Sequence, residues 1–140
     1  MTLYLDTSAL VKLYCRESDS GQVTGYVKAA GVVACSRIGY VELYSAIGRK
    51  MREGALTPKE LEQLRGDVDG DWVNYLVLDV SAAVIARAAV MTIHSSVRAY
   101  DAIHVASAVI LMEKSGTDVE FVSFDMPQRK AAAKEGLTLS

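Results

Sequence analysis

The run Leu3-Tyr4-Leu5-Asp6-Thr7-Ser8-Ala9-Leu10-Val11-Lys12-Leu13-Tyr14 decides the fold. Its first three residues are bulky and apolar with no polar break, which reads as a buried strand. Asp6, Thr7 and Ser8 follow, and the spacing predicts a helix over residues 8–16 with Thr7 or Ser8 as its N-cap. A strand that passes straight into a helix opens a βα unit.

Moving outward, the same alternation repeats. A helix over 21–30 is stopped by Gly31, a second strand covers 32–35, and Ser36 caps a long helix over 37–53. Thr57-Pro58-Lys59-Glu60 is a helix start of the capping-box type, with proline at the first helical position, and that helix runs to about residue 70. A third strand falls at 75–78, helices at 81–94 and 100–114, a fourth strand at 120–124, and a last helix at 126–135 ended by Gly136. Thr138-Leu139 adds a short fifth strand. Strands alternating with crossover helices imply right-handed βαβ units, hence an α/β fold with a central parallel sheet of four to five strands flanked by helices. In such sheets ligands bind outside the carboxyl ends of the strands.

With 140 residues, 51% of them hydrophobic, 23% charged and only two prolines, the chain suits one domain over 1–140 and excludes a disordered class. A mean hydropathy of +0.18 suggests that part of the surface is covered by an oligomer or partner. The start of the chain lacks the positive flank of a secretion signal, and Asp6 interrupts its apolar run. The longest apolar helical stretch, 102–112, is too short for a membrane span, so a cytoplasmic location without membrane contact is expected. Cys15 and Cys35 carry no metal-site spacing and read as buried thiols. The formal charge of −2 argues against a protein that grips nucleic acid by electrostatics alone. It does not argue against one whose acids hold cations.

Four carboxylates stand out. Asp6 and Asp125 each end a strand immediately before a helix, on the rim where this architecture places ligands. Glu42 is the one charged residue between Arg37 and Arg49, and Asp101 opens a helix with no other formal charge until Glu113. A lone carboxylate in an apolar stretch is costly unless a hydrogen bond, an ion pair or a metal compensates it. N-cap roles account for Asp101 and Asp125 taken singly, and an Asx-turn for Asp6. Glu42, flanked by Val41 and Leu43, caps nothing. Asp79 is similarly isolated, but its place two residues before Ser81 suits a turn.

LYLDTSALVKLY resembles the first motif of PIN-domain nucleases, especially VapC-like toxins of toxin–antitoxin pairs. SRIGYVELYSAIGRK is similar to their second motif, RAYDAIHVASAVIL to the third and FVSFDMPQRKAAAKEGL to the last, in order across nearly the whole chain. The resemblance implies a single PIN-like domain and places the family's acidic residues on Asp6, Glu42, Asp101 and Asp125. It implies hydrolysis of RNA phosphodiester bonds with 5′-phosphate and 3′-hydroxyl products, an antitoxin partner and a two-fold homodimer.

Such chemistry explains clustered acids. Mg²⁺ or Mn²⁺ can activate water and neutralise phosphate charge, and Mg²⁺ takes hard oxygen ligands in place of a His/Cys cage. Asp6 and Asp101 are assigned to direct coordination, with Glu42 and Asp125 holding metal-bound water or a second ion. The hydroxyls of Thr7, Ser8 and Ser123 could hold such water or simply bond the backbone. Arg98 and Arg49 could contact RNA, or pair with an acid and with a helix dipole respectively. His104, one turn after Asp101, reads as a packed, hydrogen-bonded core histidine in preference to a proton carrier. The alternative to an enzyme is a non-catalytic PIN module that binds RNA or protein.

Overall fold

Neighbouring residues of the first strand face opposite ways: Leu3 and Leu5 enter one hydrophobic core, Tyr4 the other. That alternation, in a computed structural model describing residues 1–140, organises the molecule. Strand β1 (Thr2–Leu5) leads into α1 (Thr7–Tyr14) and α2 (Ser20–Ala29), then β2 (Val32–Ser36), α3 (Ile38–Arg52) and α4 (Pro58–Trp72). After β3 (Leu76–Leu78) come α5 (Ala82–His94) and α6 (Ala99–Ser115), then β4 (Val119–Val122), α7 (Met126–Lys134) and β5 (Thr138–Leu139). All four strand pairings are parallel, in the order β3-β2-β1-β4-β5.

Each face of the sheet is covered. Leu3, Leu5, Cys35 and Val122 pack with Leu10 of α1, Leu43 and Ile47 of α3, and Leu64 and Val68 of α4. Tyr4, Ala34 and Phe121 pack with α5, α6 and α7 through residues such as Met91, Val105 and Ala132. Tyr4 stacks on Phe121 with ring centroids 5.5 Å apart. Helix α6 is buried from Ala102 through Val109, eight consecutive positions. The missing charge between Asp101 and Glu113 follows from that burial on all sides. Gly39 lets α3 close onto α1, since a Cβ there would stand 3.1 Å from Leu10 Cδ1.

The chain leaves β1 toward β2 and β3 on one side and returns to place β4 on the other. The order therefore switches between β1 and β4, and the crevice for a ligand opens at the carboxyl ends of those two strands.

The expected elements are all present, with local corrections. Asp6 is the N-cap of α1, in place of Thr7 or Ser8, because its extended backbone lets Oδ1 accept the Ala9 N–H at 2.9 Å. Helix α6 opens two residues before Asp101, at Ala99, so Asp101 is not its cap. Gly31 does not stop α2 by a left-handed turn; the helix ends through Ala30, and the Gly31 N–H bonds Met1 O. Gly136 does turn left-handed, at φ +87°, just after α7. The Thr57–Glu60 capping box has both of its bonds. Asp79 pairs with Arg37, and both cysteines are buried, with the Cys35 thiol pushed up to about 12 by burial. No helix is long and apolar enough to cross a membrane.

Candidate active site

β1 and β4 run in register, Leu5 opposite Val122, so the residues that follow them emerge together. The Asp6 N–H bonds Val122 O at 3.2 Å, extending the ladder one step beyond the strand. From there Asp6 Oδ1 takes two donors, the Ala9 N–H and the Ser8 hydroxyl at 2.7 Å. Oδ2 takes none, although the residue is fully buried. A buried carboxylate oxygen without a protein partner is costly, and a water or a cation that meets it removes that cost. Burial lifts the Asp6 pKa above the ordinary carboxylate value. The Ser123 and Ser8 hydroxyls and the Ala9 N–H offset part of the rise, without any of them bonding Oδ2.

Asp125 caps α7, its Oδ2 accepting the Gln128 N–H at 3.1 Å, while its own N–H bonds the Ser123 hydroxyl. The Ser8 hydroxyl also accepts the Phe124 N–H at 2.9 Å and so ties the two strand ends together. Glu42 reaches in from the middle of α3. Its Oε1 receives the Thr7 hydroxyl at 2.7 Å and lies 2.7 Å from His104 Nε2. Burial alone would raise the Glu42 pKa. The hydrogen bonds from His104 and Thr7, with Arg98 nearby, outweigh it, and the net shift is downward. Glu42 is therefore ionised at neutral pH. Asp101, in the first turn of α6, accepts from Arg98 Nε at 3.0 Å.

Glu42, Asp101 and Asp125 line one cleft of about 860 Å³, together with Thr7, Ser8, Arg98 and Arg49, while Asp6 lies buried beneath it. The acids face a common space, yet no three of the His, Cys, Asp and Glu side chains stand close enough to clasp one ion. Each has its own partner: Arg98 for Asp101, His104 for Glu42 and the Gln128 N–H for Asp125. Like charges spread unless a cation gathers them. The donors facing the cleft are carboxylates and hydroxyls, a hard oxygen set that fits a divalent cation of the Mg²⁺ kind.

The three hydroxyls named from sequence serve the acids and the backbone directly: Thr7 bonds Glu42, Ser8 bonds Asp6, and Ser123 accepts from Asp125. Arg49 is exposed in the last turn of α3 and lines the cleft. Lys12 and Gln128 are among the cleft residues that escaped the sequence reading. Lys12 lies one turn after Ser8 on α1 and stands 4.8 Å above the Phe124 ring. Gln128 is 4% exposed, with its Oε1 unpartnered, three residues after Asp125. Helical spacing from Ser8 and from Asp125 was the signal available for both.

Two curated ribonucleases of Mycobacterium tuberculosis, VapC45 and VapC49, are each 29% identical to the chain over 107 residues, 76% of this chain and 74% of theirs. Among solved structures, VapBC2 of Rickettsia felis bound to promoter DNA superposes over all of this chain and 98% of the other, with a TM-score of 0.67 at 18% identity. The sarcin-ricin-loop-cleaving toxin VapC20 of Mycobacterium tuberculosis does so over 92% and 94%, with a TM-score of 0.67 at 17% identity. The PIN domain family model matches residues 3–134, nearly the full length and every element from β1 to α7, so the chain belongs to the PIN-domain family.

Proposed function

We propose that the protein is a metal-dependent ribonuclease that hydrolyses RNA phosphodiester bonds, and that it is the toxin of a toxin–antitoxin pair. The observation that carries the reading is the unpartnered Asp6 Oδ2, buried under a cleft lined by Glu42, Asp101 and Asp125. The relatives named as VapC ribonucleases support the reaction class, and the VapBC and FitAB complexes among the structural neighbours support the partner.

In this reading Asp6 and Asp101 ligate Mg²⁺ or Mn²⁺ directly, and Glu42 and Asp125 act through water or a second ion. The bound cation supplies a nucleophilic water at neutral pH and charge neutralisation at the phosphate. The chain's own residues do the rest. Ser8 and Ala9 fix Asp6, Thr7 fixes Glu42, and the Gln128 N–H fixes Asp125. Arg98, 85% exposed at its side chain, swings from Asp101 to a substrate phosphate, with Arg49 along the same cleft. Cleavage of the P–O3′ bond leaves a 5′-phosphate and a 3′-hydroxyl.

The test is incubation of the purified protein with end-labelled single-stranded RNA in Mg²⁺, Mn²⁺ or EDTA, with mapping of the new ends. Cleavage with metal alone, giving 5′-phosphates and lost in D6N, is the expected result. Cleavage that persists in EDTA or in D6N overturns the reading. Expression by itself should arrest growth, and the product of an adjacent small gene should relieve the arrest. A two-fold dimer belongs to the same proposal. Ile85, Val90 and Ile93 expose an apolar face on α5, and light scattering should give twice the 15.1 kDa chain mass.

A further inference from the structure

Glu42 meets two side chains from two other elements at one of its oxygens. Oε1 lies 2.7 Å from Thr7 Oγ1 and 2.7 Å from His104 Nε2, which are themselves 3.1 Å apart. On the far side of the imidazole, Nδ1 lies 3.0 Å from the hydroxyl of Tyr4, whose ring is fully buried. The histidine side chain is 1% exposed and the glutamate side chain 25%. The line Tyr4–His104–Glu42 therefore starts in the core beneath the sheet and ends at the wall of the cleft.

With the imidazole neutral, satisfying every donor in that line selects one arrangement of protons. The Tyr4 hydroxyl donates to Nδ1, so Nε2 carries the hydrogen and donates to Oε1. Thr7 donates to the same oxygen. Oε1 is then fully engaged, and Oε2 is the oxygen left to face the cleft. Rotation of the carboxylate breaks two hydrogen bonds at once, one of them to a ring that packing holds in place.

We propose that His104, as the Nε2–H tautomer anchored by Tyr4, is a positioning residue that locks Glu42 with Oε2 turned to the cleft. The proposal rests on the metal-dependent nuclease reading for what Oε2 meets, but the lock itself is a property of the metal-free chain. Residues that orient a ligand from behind commonly change metal affinity about 10–100-fold when removed. His104 touches neither the cleft nor its contents and acts only through Glu42.

Three measurements on the full chain test it. In the metal-free protein labelled with ¹⁵N-histidine, long-range NMR correlations should show His104 protonated at Nε2 and bare at Nδ1. The Nε2 proton should be slow to exchange and should move in Glu42→Gln. In the second measurement, calorimetric titration with Mn²⁺ alone should show His104→Asn weakened about tenfold or more, since its amide is too short to reach Oε1. His104→Gln, whose carboxamide N–H reaches the Nε2 position, should recover most of that loss. Thirdly, RNA cleavage by His104→Asn should fall in kcat with KM little changed, and should return in His104→Gln. A proton on Nδ1 in place of Nε2 overturns the proposal. So does a folded His104→Asn that binds Mn²⁺ like the wild type. If the wild type neither binds Mn²⁺ nor cuts RNA, the nuclease reading has failed, and the tautomer and its response to Glu42→Gln still decide whether the lock exists.

Discussion

The hydroxyl of Ser8 accepts the N–H of Phe124 across 116 residues of chain while donating to Asp6, so one atom joins the ends of β1 and β4 under the cleft. Ser8→Ala leaves a backbone donor and a carboxylate oxygen each one bond short. A loss of about 1–3 kcal/mol is expected, the usual cost of an unmet buried polar group. A urea melt reads it directly. A neutral result means that water replaces the hydroxyl without cost.

Asp6 and Glu42 should respond to pH with opposite signs. The pKa of Asp6 is raised in the folded protein, so its charge opposes folding at neutral pH. That penalty fades as pH falls through the folded-state value and is gone below the unfolded value of about 3.9. Asp6→Asn keeps an acceptor for Ala9 and should therefore be more stable than wild type at pH 7, with the gap closing on acidification. The pKa of Glu42 is lowered, so its ionised form stabilises the fold above about 4.3 and the benefit is lost as pH falls through the folded value. Glu42→Gln should accordingly be less stable at pH 7, again converging in acid. Denaturation series from pH 7 to pH 3 give both slopes, and slopes of equal sign contradict the assignment.

Asp125 combines a cap with a place in the cleft, and two substitutions separate these. Asp125→Asn retains an acceptor for the Gln128 N–H, whereas Asp125→Ala removes it and should cost about 0.5–2 kcal/mol. Both should lose RNA cleavage. Activity in the asparagine variant would make Asp125 a cap alone.

Divalent metal should stabilise the protein through the unpartnered oxygen of Asp6. At about 100 times its dissociation constant, Mn²⁺ should add roughly 2.7 kcal/mol to wild type. Asp6→Asn and Asp101→Asn should gain much less. Thermal melts with EDTA and with Mn²⁺ show this without reference to any substrate.

The strands and helices were legible because buried parallel strands and capped helices have local signatures: Leu3-Tyr4-Leu5, the Thr57–Glu60 box and the uncharged run after Asp101. Misplaced details were those in which neighbouring residues compete for one role, as Asp6, Thr7 and Ser8 do for the α1 cap. The four acids could be named from their isolation and from the motifs, but their partners could not. His104 and Glu42 are 62 positions apart, and nothing local tells a histidine that packs from one that packs and also grips a carboxylate. Nor does a sequence reveal that one oxygen of Asp6 has a partner and the other has none.

The central place of β1 sets a timetable. Its partner on one side, β2, follows within about thirty residues, but β4 comes only after residue 118. While the chain is being made, the Asp6 amide has no acceptor and Ser8 no second bond, because Val122 and Phe124 do not yet exist. At roughly 5–20 residues per second, the stretch between Ser8 and Phe124 takes on the order of ten seconds to emerge. The junction of Asp6, Ser8 and Phe124 cannot assemble during that interval. The two strand ends are joined late, with the last strands.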